Sequence, residues 1–253
     1  MSNLKLVGIE FELIWENPSA NRTAFEKKIK SVVGVCDVVV LPENFTTGFS
    51  MNIDKVDSWG SGETIDWLKG LCRELNVAIM GSVAFNMGDG TARNRGVFVK
   101  PDGNVSIYDK KHLFTLGREN DNYIAGDKRT VVEFKGWRIL LQICYDLRFP
   151  VFSRNNPADV YDAILYVANW PKPRVHAWRT LLQARAIENQ CYVMGVNRCG
   201  EDPNGNVYTG DSLGVDPWGQ VLSEGPIVKL ECEREKLDEF RKRYPFIEDG
   251  VGV

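Results

Sequence analysis

The chain has 253 residues, of which 43% are hydrophobic and 26% charged, and its formal net charge is −3. A chain of this length and composition can bury a core without disulfides or metal ions, and its slight negative charge, without a long run of Lys or Arg, argues against a nucleic-acid partner. No stretch reaches the roughly 18 apolar residues that cross a bilayer, and charged residues interrupt the apolar N-terminus, so we expect a cytoplasmic protein that does not enter a membrane.

The predicted strands and helices alternate along the chain. Short apolar runs rich in Val and Ile, bounded by Pro, Gly, Asn or Asp, predict strands. These runs are Leu4–Ile9, Val38–Leu41, Val77–Phe85, Gly96–Val99, Ile139–Ile143, Ala163–Ala168, Cys191–Val196 and Ile227–Leu230. Apolar residues at helical spacing predict helices between some of them. The helical patterns are Phe25, Ile29, Val32 and Val33; Ile65, Leu68, Leu71, Cys72 and Leu75; and Trp178, Leu181, Leu182 and Ala186.

The order of these elements predicts the fold class. Apolar strands that alternate with helices favour an α/β layered sandwich. The segments 101–104 and 216–220 are typical of tight hairpin turns, which indicates mixed rather than purely parallel sheets. The chain shows no repeat, no low-complexity linker and no shift in composition, so we expect one domain over residues 1–253.

Three reactive side chains follow predicted strands. Glu43 comes just after an apolar strand, Lys110 and Lys111 follow a strand and turn, and Cys144 follows the run Ile139–Ile143. In open α/β sheets, ligands bind outside the carboxyl ends of the strands. A carboxylate can take the proton of a thiol and an ammonium can hold a carbonyl oxygen as it becomes negative, so these groups fit an acyl-transfer site. Each group alone is more often structural, since a free Cys is usually a small buried hydrophobe and a Glu or Lys after a strand is usually solvated.

The cysteines and histidines do not have the spacing of metal ligands. The six cysteines form no Cys-x-x-Cys pair, and the only histidines are His112 and His176. A zinc site of the usual spacing is therefore not expected. The apparent lack of a targeting signal also argues against a disulfide framework. We expect neither a metal ion nor a cofactor.

Taken together, the motifs resemble the nitrilase superfamily of carbon–nitrogen hydrolases, which use a Glu-Lys-Cys triad. The matching motifs are Leu41-Pro-Glu43-Asn-Phe, Tyr108-Asp-Lys110-Lys-His-Leu-Phe and Ile143-Cys144-Tyr-Asp-Leu-Arg148-Phe-Pro. The resemblance extends over essentially the whole chain, through Asn169-Trp-Pro and the segment 185–190. The family's Lys-x-His-Leu spacing selects Lys110 over Lys111, and its second glutamate corresponds to Glu119 by the distance to Gly126.

This resemblance implies a four-layer α-β-β-α sandwich that forms a homodimer through its helices. It also implies a catalytic set of Glu43, Lys110 and Cys144 with Glu119 in support. The motifs are most similar to those of the bacterial omega-amidase branch, whose members hydrolyse the terminal amide of 2-oxo acid amides such as 2-oxoglutaramate. One departure is Asn44, which stands where many relatives of that branch carry methionine and which we expect to affect the shape of the pocket.

The implied reaction is hydrolysis of a small amide through a thioester of Cys144. Glu43 takes the thiol proton and later gives it to the departing ammonia, a double role that requires partial desolvation of its carboxyl group. Lys110 and the backbone N–H of Tyr145 hold the oxyanion. Glu119 orients Lys110 or the attacking water.

A 2-oxo acid amide also needs a site for its carboxylate. Arg148, Lys172 and Arg174 follow predicted strand ends and are the candidates for this role. Trp170, beside Pro171, is a candidate for the pocket wall. The structural alternative is that Arg148 forms an ion pair within the fold and that the other two side chains are solvated.

Three alternative functions remain open. An enzyme of the same superfamily acting on carbamoyl amines or nitriles differs in whether carbon dioxide or ammonia is released, and from which compound. A non-catalytic binding protein of the same fold is expected to have a broken triad, but Glu43, Lys110 and Cys144 are all present. A redox-sensing Cys144 needs a nearby resolving thiol, and the local sequence offers none.

Overall fold

The structure is a computed structural model that describes residues 2–32, 34 and 36–250. Within these residues the strands are β1 (Leu4–Ile9), β2 (Val38–Val40), β3 (Asp57–Ser58), β4 (Ala78–Asn86), β5 (Ala92–Val99), β6 (Val105–Asp109), β7 (Val131–Phe134), β8 (Trp137–Ile143), β9 (Ala163–Ala168), β10 (Tyr192–Asn197), β11 (Cys199–Glu201), β12 (Val207–Thr209), β13 (Leu213–Val215), β14 (Val221–Glu224) and β15 (Ile227–Cys232). The helices are α1 (Pro18–Val32), α2 (Glu63–Leu75), α3 (Pro150–Ser153), α4 (Val175–Asn189), α5 (Arg234–Arg243) and α6 (Phe246–Asp249).

Most of the strands form two mixed sheets. Sheet I has the order β15-β1-β2-β4-β5-β6, with β3 beside β4, and sheet II has the order β14-β13-β10-β9-β8-β7. The central strands β1, β2 and β4 of sheet I are parallel, as are β8, β9 and β10 of sheet II. Apart from the short strand β3, which is parallel to β4, the outer strands are antiparallel to their neighbours. The predicted turns 101–104 and 216–220 join β5 to β6 and β13 to β14. The predicted mixed sheets are confirmed.

Alternation along the strands divides the apolar side chains among three layers of core. In β2, Val38 and Val40 face sheet II, whereas Val39 faces the helices. The core between the sheets includes Leu6, Met80, Ile139, Leu141, Val167 and Met194. Helices α1 and α2 cover the outer face of sheet I through Phe25, Ile29, Leu68 and Leu71, and α4 covers the outer face of sheet II through Trp178, Leu182 and Ala186. The predicted four-layer α-β-β-α sandwich is therefore confirmed.

The differences from the prediction occur where the hydrophobic pattern is weak. Helix α5 was not predicted because it has the sequence Arg-Glu-Lys-Leu-Asp-Glu-Phe-Arg-Lys-Arg, in which Leu237 is the apolar residue that is buried. Strand β5 begins at Ala92, earlier than the predicted Gly96, because the buried polar residues Asn94 and Arg95 interrupt its apolar run. Val33, the last residue of the first helical pattern, lies outside the described residues.

Candidate active site

Glu43 enters the space between the sheets from a tight turn after β2. Asn44 takes a left-handed backbone conformation, with φ of 45°, which Asn adopts more readily than most residues. The Asn44 carbonyl accepts hydrogen bonds from the N–H groups of Thr47 at 3.0 Å and Gly48 at 2.8 Å. Glu43 is fully buried, as its expected double role requires.

Lys110 directly follows β6, and its ammonium group contacts two buried carboxylates. Nζ donates to Glu43 Oε1 at 2.8 Å, and to Oε1 and Oε2 of Glu119 at 3.1 and 2.9 Å. Burial alone would lower the pKa of Lys110, but the charges of Glu119 and Glu43 raise it well above its ordinary value. Burial raises the pKa of Glu119, an effect that the Lys110 charge opposes. Lys110 therefore remains an ammonium ion at neutral pH.

A buried amide links the two carboxylates. Asn94 Nδ2 donates to Glu43 Oε1 at 2.8 Å and to Glu119 Oε1 at 3.0 Å. Ser82 Oγ donates to Asn94 Oδ1 at 2.9 Å, and it accepts the backbone N–H of Asn44 at 2.9 Å. Because Ser82 lies on β4 and Asn94 on β5, two neighbouring strands of sheet I hold both glutamates in position.

Asn169 holds Glu43 from the opposite sheet. It directly follows β9, and its backbone N–H donates to Glu43 Oε2 at 2.7 Å. Its Nδ2 donates to the main-chain carbonyl of Glu43 at 2.8 Å and to Oε2 at 3.3 Å. The next residue, Trp170, is fixed by Asn197, whose Oδ1 accepts the Trp170 N–H at 2.7 Å and whose Nδ2 donates to the Trp170 carbonyl at 2.8 Å. The Glu43 carboxylate thus has hydrogen-bond donors from both sheets.

Cys144 occupies a sharp junction between β8 and a five-residue 3-10 turn, Cys144–Arg148. Its φ of 46° is uncommon for a residue with a β-carbon. Burial and the negative charge of Glu43 raise the pKa of the Cys144 thiol well above its ordinary value, although the positive charge of Lys110 opposes this effect. The thiol is therefore protonated at neutral pH, and it lines the same cavity as the Glu43 carboxylate.

Asp146 ties the cysteine turn to the lysine segment. Its Oδ2 accepts the backbone N–H of Ile143 at 3.0 Å and the hydroxyl of Tyr108 at 2.7 Å. Its Oδ1 accepts the backbone N–H of His112 at 2.9 Å and lies 2.8 Å from His112 Nδ1. The His112 ring stacks on Phe149 with ring centres 3.9 Å apart. One buried carboxylate therefore sets the position of Cys144 relative to Lys110.

Glu43, Lys110 and Cys144 line a cavity of about 400 Å³. Glu119 is fully buried and is not part of the cavity lining, although it contacts Lys110. Aromatic and apolar side chains form much of the wall, including those of Phe49, Phe114, Leu116, Tyr145, Trp170 and Tyr208. A cavity of this size and lining is suited to a small organic molecule.

Two arginines line this cavity without a carboxylate partner among residues 2–32, 34 and 36–250. The guanidinium carbon of Arg148 lies 4.9 Å from the ring centre of Trp170, and that of Arg174 lies 5.1 Å from the ring centre of Phe114. Unpaired guanidinium groups in a cavity favour an anionic ligand. Lys172 does not line the cavity, so the structure does not support the substrate contact predicted for it.

The structure brings together the four side chains predicted to be catalytic: Glu43, Lys110, Cys144 and Glu119. It also places Tyr145, Arg148, Trp170 and Arg174 in the cavity wall. Asn44 is buried but does not line the cavity, so the expected effect on pocket shape finds no support. Sequence reasoning did not identify Ser82, Asn94, Asn169, Asn206 or Tyr208 as parts of the site. Asn169 carried a signal, because it begins the Asn169-Trp-Pro motif after a predicted strand.

In the part of the chain that the structure describes, no group of three or more His, Cys, Asp or Glu side chains is arranged to hold a metal ion. The same residues contain no helix that is long and apolar enough to cross a membrane.

The chain is similar to known proteins over nearly its full length. The carbon-nitrogen hydrolase family matches residues 11–231. Omega-amidase YafV of Yersinia enterocolitica is 47% identical over 98% of this chain and 97% of its own length. The 2-oxoglutaramate amidase of Bacillus subtilis is 34% identical over 95% of each chain. The crystal structure of a CN-hydrolase superfamily protein from Xanthomonas campestris, with an arsenic adduct in its active site, matches with a TM-score of 0.96 and 41% identity over 100% of this chain and 99% of the other.

Proposed function

The chain belongs to the carbon-nitrogen hydrolase family, and from this membership we propose that it is an omega-amidase. It hydrolyses the terminal amide of small 2-oxo acid amides, such as 2-oxoglutaramate, to the acid and ammonia. The observation that carries this proposal is the hydrogen-bonded pair of Glu43 and Lys110, which lines one cavity together with Cys144. The substrate class is supported by relatives that bear the names omega-amidase and 2-oxoglutaramate amidase.

The first half of the reaction forms a thioester. Glu43 takes the proton of the Cys144 thiol as the sulfur bonds to the amide carbon, and the carbonyl oxygen becomes negative. The Lys110 ammonium and the backbone N–H of Tyr145 stabilise this oxygen, since the first N–H groups of a helical turn lack an acceptor within the turn. The Glu43 carboxyl then gives its proton to the nitrogen, the C–N bond breaks, and ammonia leaves.

The second half of the reaction releases the acid. Glu43, again a carboxylate, takes a proton from a water molecule whose oxygen bonds to the thioester carbon. The C–S bond breaks, the sulfur regains a proton from Glu43, and the carboxylic acid ionises as it departs. Glu119 positions Lys110 through both steps, because its two carboxylate oxygens hold the ammonium group.

Two cavity residues support a binding site for the 2-oxo acid end of the substrate. Arg148 and Arg174 present guanidinium groups with no acidic partner among the described residues. A carboxylate matches a guanidinium group in charge and planar geometry. We assign the carboxylate to these two residues, with Tyr145 and Trp170 as walls that exclude water.

The experiment that tests this function is ammonia release from 2-oxoglutaramate by the purified protein. Cys144→Ala is expected to lower the rate by at least about 10³-fold, because the nucleophile is lost. Cys199→Ala is the matched control, since Cys199 is also partly exposed but does not line the cavity. Equal activity of wild type and Cys144→Ala would refute the proposal. Turnover of a carbamoyl amine or a nitrile instead of the oxo amide would support Cys144 as the nucleophile but would exclude a 2-oxo acid amide as the substrate.

We also propose that the protein is a homodimer, as its family resemblance implies. A row of aromatic rings lies near the C-terminal end of the described chain: Trp218 and Phe240 have ring centres 4.5 Å apart, and Tyr244 lies 5.6 Å from both Phe240 and Phe246. Phe246 lines a groove together with Val151, which is 88% exposed. Exposed apolar surface of this kind favours a protein partner. Sedimentation of the wild-type protein should show a dimer, and the Val151→Asp variant should dissociate more readily. A wild-type protein that sediments as a monomer would exclude the homodimer.

We further propose that residues 1–253 form one carbon–nitrogen hydrolase domain that acts in the cytoplasm on a small molecule, without a nucleic-acid or membrane partner. The family match over residues 11–231 and the core shared by the two sheets support one domain. The free thiols of Cys72, Cys144, Cys191, Cys199 and Cys232 are typical of a reducing compartment. Limited proteolysis tests whether the chain forms one domain, and cell fractionation tests whether the protein is cytoplasmic.

A further inference from the structure

We propose that the side-chain oxygen of Asn169 accepts a hydrogen bond from the amide nitrogen of the substrate and so makes the site selective for amides. This inference rests on the proposed amidase function and assigns a specificity-determining contact within the same site. Asn169 lines the cavity, and its side chain is next to the carboxyl group that must protonate the leaving nitrogen.

The orientation of the Asn169 amide follows from its hydrogen bonds. Its Nδ2 lies 2.8 Å from the main-chain carbonyl oxygen of Glu43 and 3.3 Å from Glu43 Oε2. Both neighbours are acceptors, so the NH₂ group must face them. Exchanging the nitrogen and oxygen of the amide would set Oδ1 against two oxygens. The Asn169 oxygen therefore points away from these two acceptors.

That oxygen is buried and has no hydrogen-bond partner within the part of the chain that the structure describes. A buried acceptor without a partner is unfavourable, and at a ligand site it marks a place that a ligand donor can occupy. The nearby Asn94 provides a contrast, because it also donates to Glu43 but its own oxygen accepts the Ser82 hydroxyl. Of the two amides that hold the Glu43 carboxylate, only Asn169 combines an unpaired oxygen with a place in the cavity lining.

The leaving nitrogen supplies the matching donor. In the acylation step the S–C bond forms and the C–N bond breaks while Glu43 gives one proton to the nitrogen. A primary amide carries two N–H groups, so one can bond to Asn169 Oδ1 while the nitrogen lone pair receives the Glu43 proton. An ester oxygen or a nitrile nitrogen carries no hydrogen and would set a lone pair against Oδ1. A site with a buried polar group that only the correct substrate satisfies discriminates strongly against analogues that lack the partner.

The test compares 2-oxoglutaramate with the 5-methyl ester of 2-oxoglutarate, which gives the same thioester. The kcat/KM values report on steps up to acylation, so the shared hydrolysis of the thioester does not enter. In Asn169→Ala we expect the ratio of amide to ester kcat/KM to fall about tenfold or more. The matched control is Asn94→Ala, which removes a donor to Glu43 but no free acceptor. In this variant kcat/KM should fall in parallel for both substrates, so the ratio of amide to ester kcat/KM should be unchanged.

A parallel loss of both substrates in Asn169→Ala would overturn the inference, because Asn169 would then only position Glu43. Thermal unfolding and residual ester turnover show that the variant is folded. If Asn169→Ala does not fold, the same ratio is measured in Asn169→Val, whose side chain has no hydrogen-bond acceptor, and a preserved ratio there overturns the inference. Absence of ammonia release by the wild-type protein would instead reject the proposed function itself.

Discussion

The ammonium group of Lys110 lies 3.1 Å from Oε1 and 2.9 Å from Oε2 of Glu119, and both side chains are buried. This two-point contact restricts the lysine more than a single hydrogen bond would. The third ammonium hydrogen donates to Glu43 at 2.8 Å, and in the proposed mechanism it turns to the oxyanion once Glu43 has taken the thiol proton and lost its charge. The position of the proposed oxyanion donor is thus set by a residue that does not line the cavity.

The first prediction concerns Glu119→Gln. Removing this carboxylate takes away a charge that raises the pKa of Lys110, so the lysine loses its proton at a lower pH. The alkaline limb of the pH–rate profile should therefore move to lower pH, and kcat should fall by about 10²-fold because the donor is less well placed. The profile of kcat against pH for 2-oxoglutaramate measures both effects.

The control for this prediction is Asp121→Asn. Asp121 lies in the same 3-10 turn, Glu119–Asp121, and pairs with the exposed Arg118. Its replacement should leave the profile unchanged, since surface ion pairs contribute little. An alkaline limb that stays in place in Glu119→Gln would show that Glu119 does not control the protonation of Lys110.

The second prediction concerns Asp146→Ala. This carboxylate accepts hydrogen bonds from two backbone N–H groups and the Tyr108 hydroxyl, so its loss leaves several buried donors unpaired. We expect the free energy of unfolding to fall by about 3 kcal/mol or more, and kcat to fall with little change in KM, because Cys144 and Lys110 lose their common anchor. Denaturant unfolding and steady-state kinetics measure the two effects. Asp54→Ala, at an exposed turn position, should change stability by less than about 0.5 kcal/mol; similar losses in both variants would contradict the anchoring role.

The third prediction separates the three cationic residues near the cavity. Arg148→Ala and Arg174→Ala should each raise KM for 2-oxoglutaramate about tenfold or more, because a charge-assisted hydrogen bond is lost. Neither substitution should affect kcat/KM for pentanamide, a neutral amide without a carboxylate. Lys172→Ala is the matched control, since Lys172 lies in the same turn as Arg174 but outside the cavity lining. An equal effect of Lys172→Ala on KM would show that long-range charge, rather than contact, governs binding.

The fold followed largely from the hydrophobic pattern, and the exceptions have physical reasons. Runs such as Ala163–Ala168 are buried on every residue, so their composition alone predicts a central strand. Helix α5 contributes Leu237 as its buried apolar residue and is joined to the fold largely by charge: Arg234 and Arg241 reach Asp162, just before β9. Hydrophobic periodicity does not detect an element that is held by ion pairs.

The residues of the site likewise divide into those that the sequence predicted and those that it did not. Glu43, Lys110 and Cys144 follow strand ends in recognisable motifs, so the sequence predicted them. Asn94, on β5, and Asn169, just after β9, act through hydrogen bonds to Glu43 from positions that are 51 and 126 residues distant in sequence. The Asn94 contact depends on how the strands of sheet I pair, and the Asn169 contact depends on how the two sheets face each other. No local pattern in the sequence specifies either arrangement.

The fourth prediction concerns the ion pairs that Arg234 and Arg241 form with Asp162. Burial raises the pKa of Asp162, but the hydrogen bonds and charges of Arg234 and Arg241, with the backbone N–H of Arg138, lower it overall below its ordinary value of 3.8. A carboxyl group with a depressed folded-state pKa contributes stability above its unfolded pKa, and the contribution is lost as the pH falls through the folded pKa. Asp162→Asn should therefore be less stable than wild type by about 3 kcal/mol at neutral pH, and the difference should shrink as the pH falls below 3.8.

Denaturant unfolding of both proteins between neutral pH and acid measures this difference. Asp238→Asn is the control, since Asp238 is largely exposed and lies 3.6 Å from the same Arg234. It should differ from wild type by less than about 1 kcal/mol at every pH, because water screens an exposed pair. A difference in the free energy of unfolding between Asp162→Asn and wild type that stays constant to acidic pH would mean that packing rather than charge joins α5 to the sheet. A difference that closes in acid would mean that the ionised Asp162 holds the C-terminal helix against sheet II.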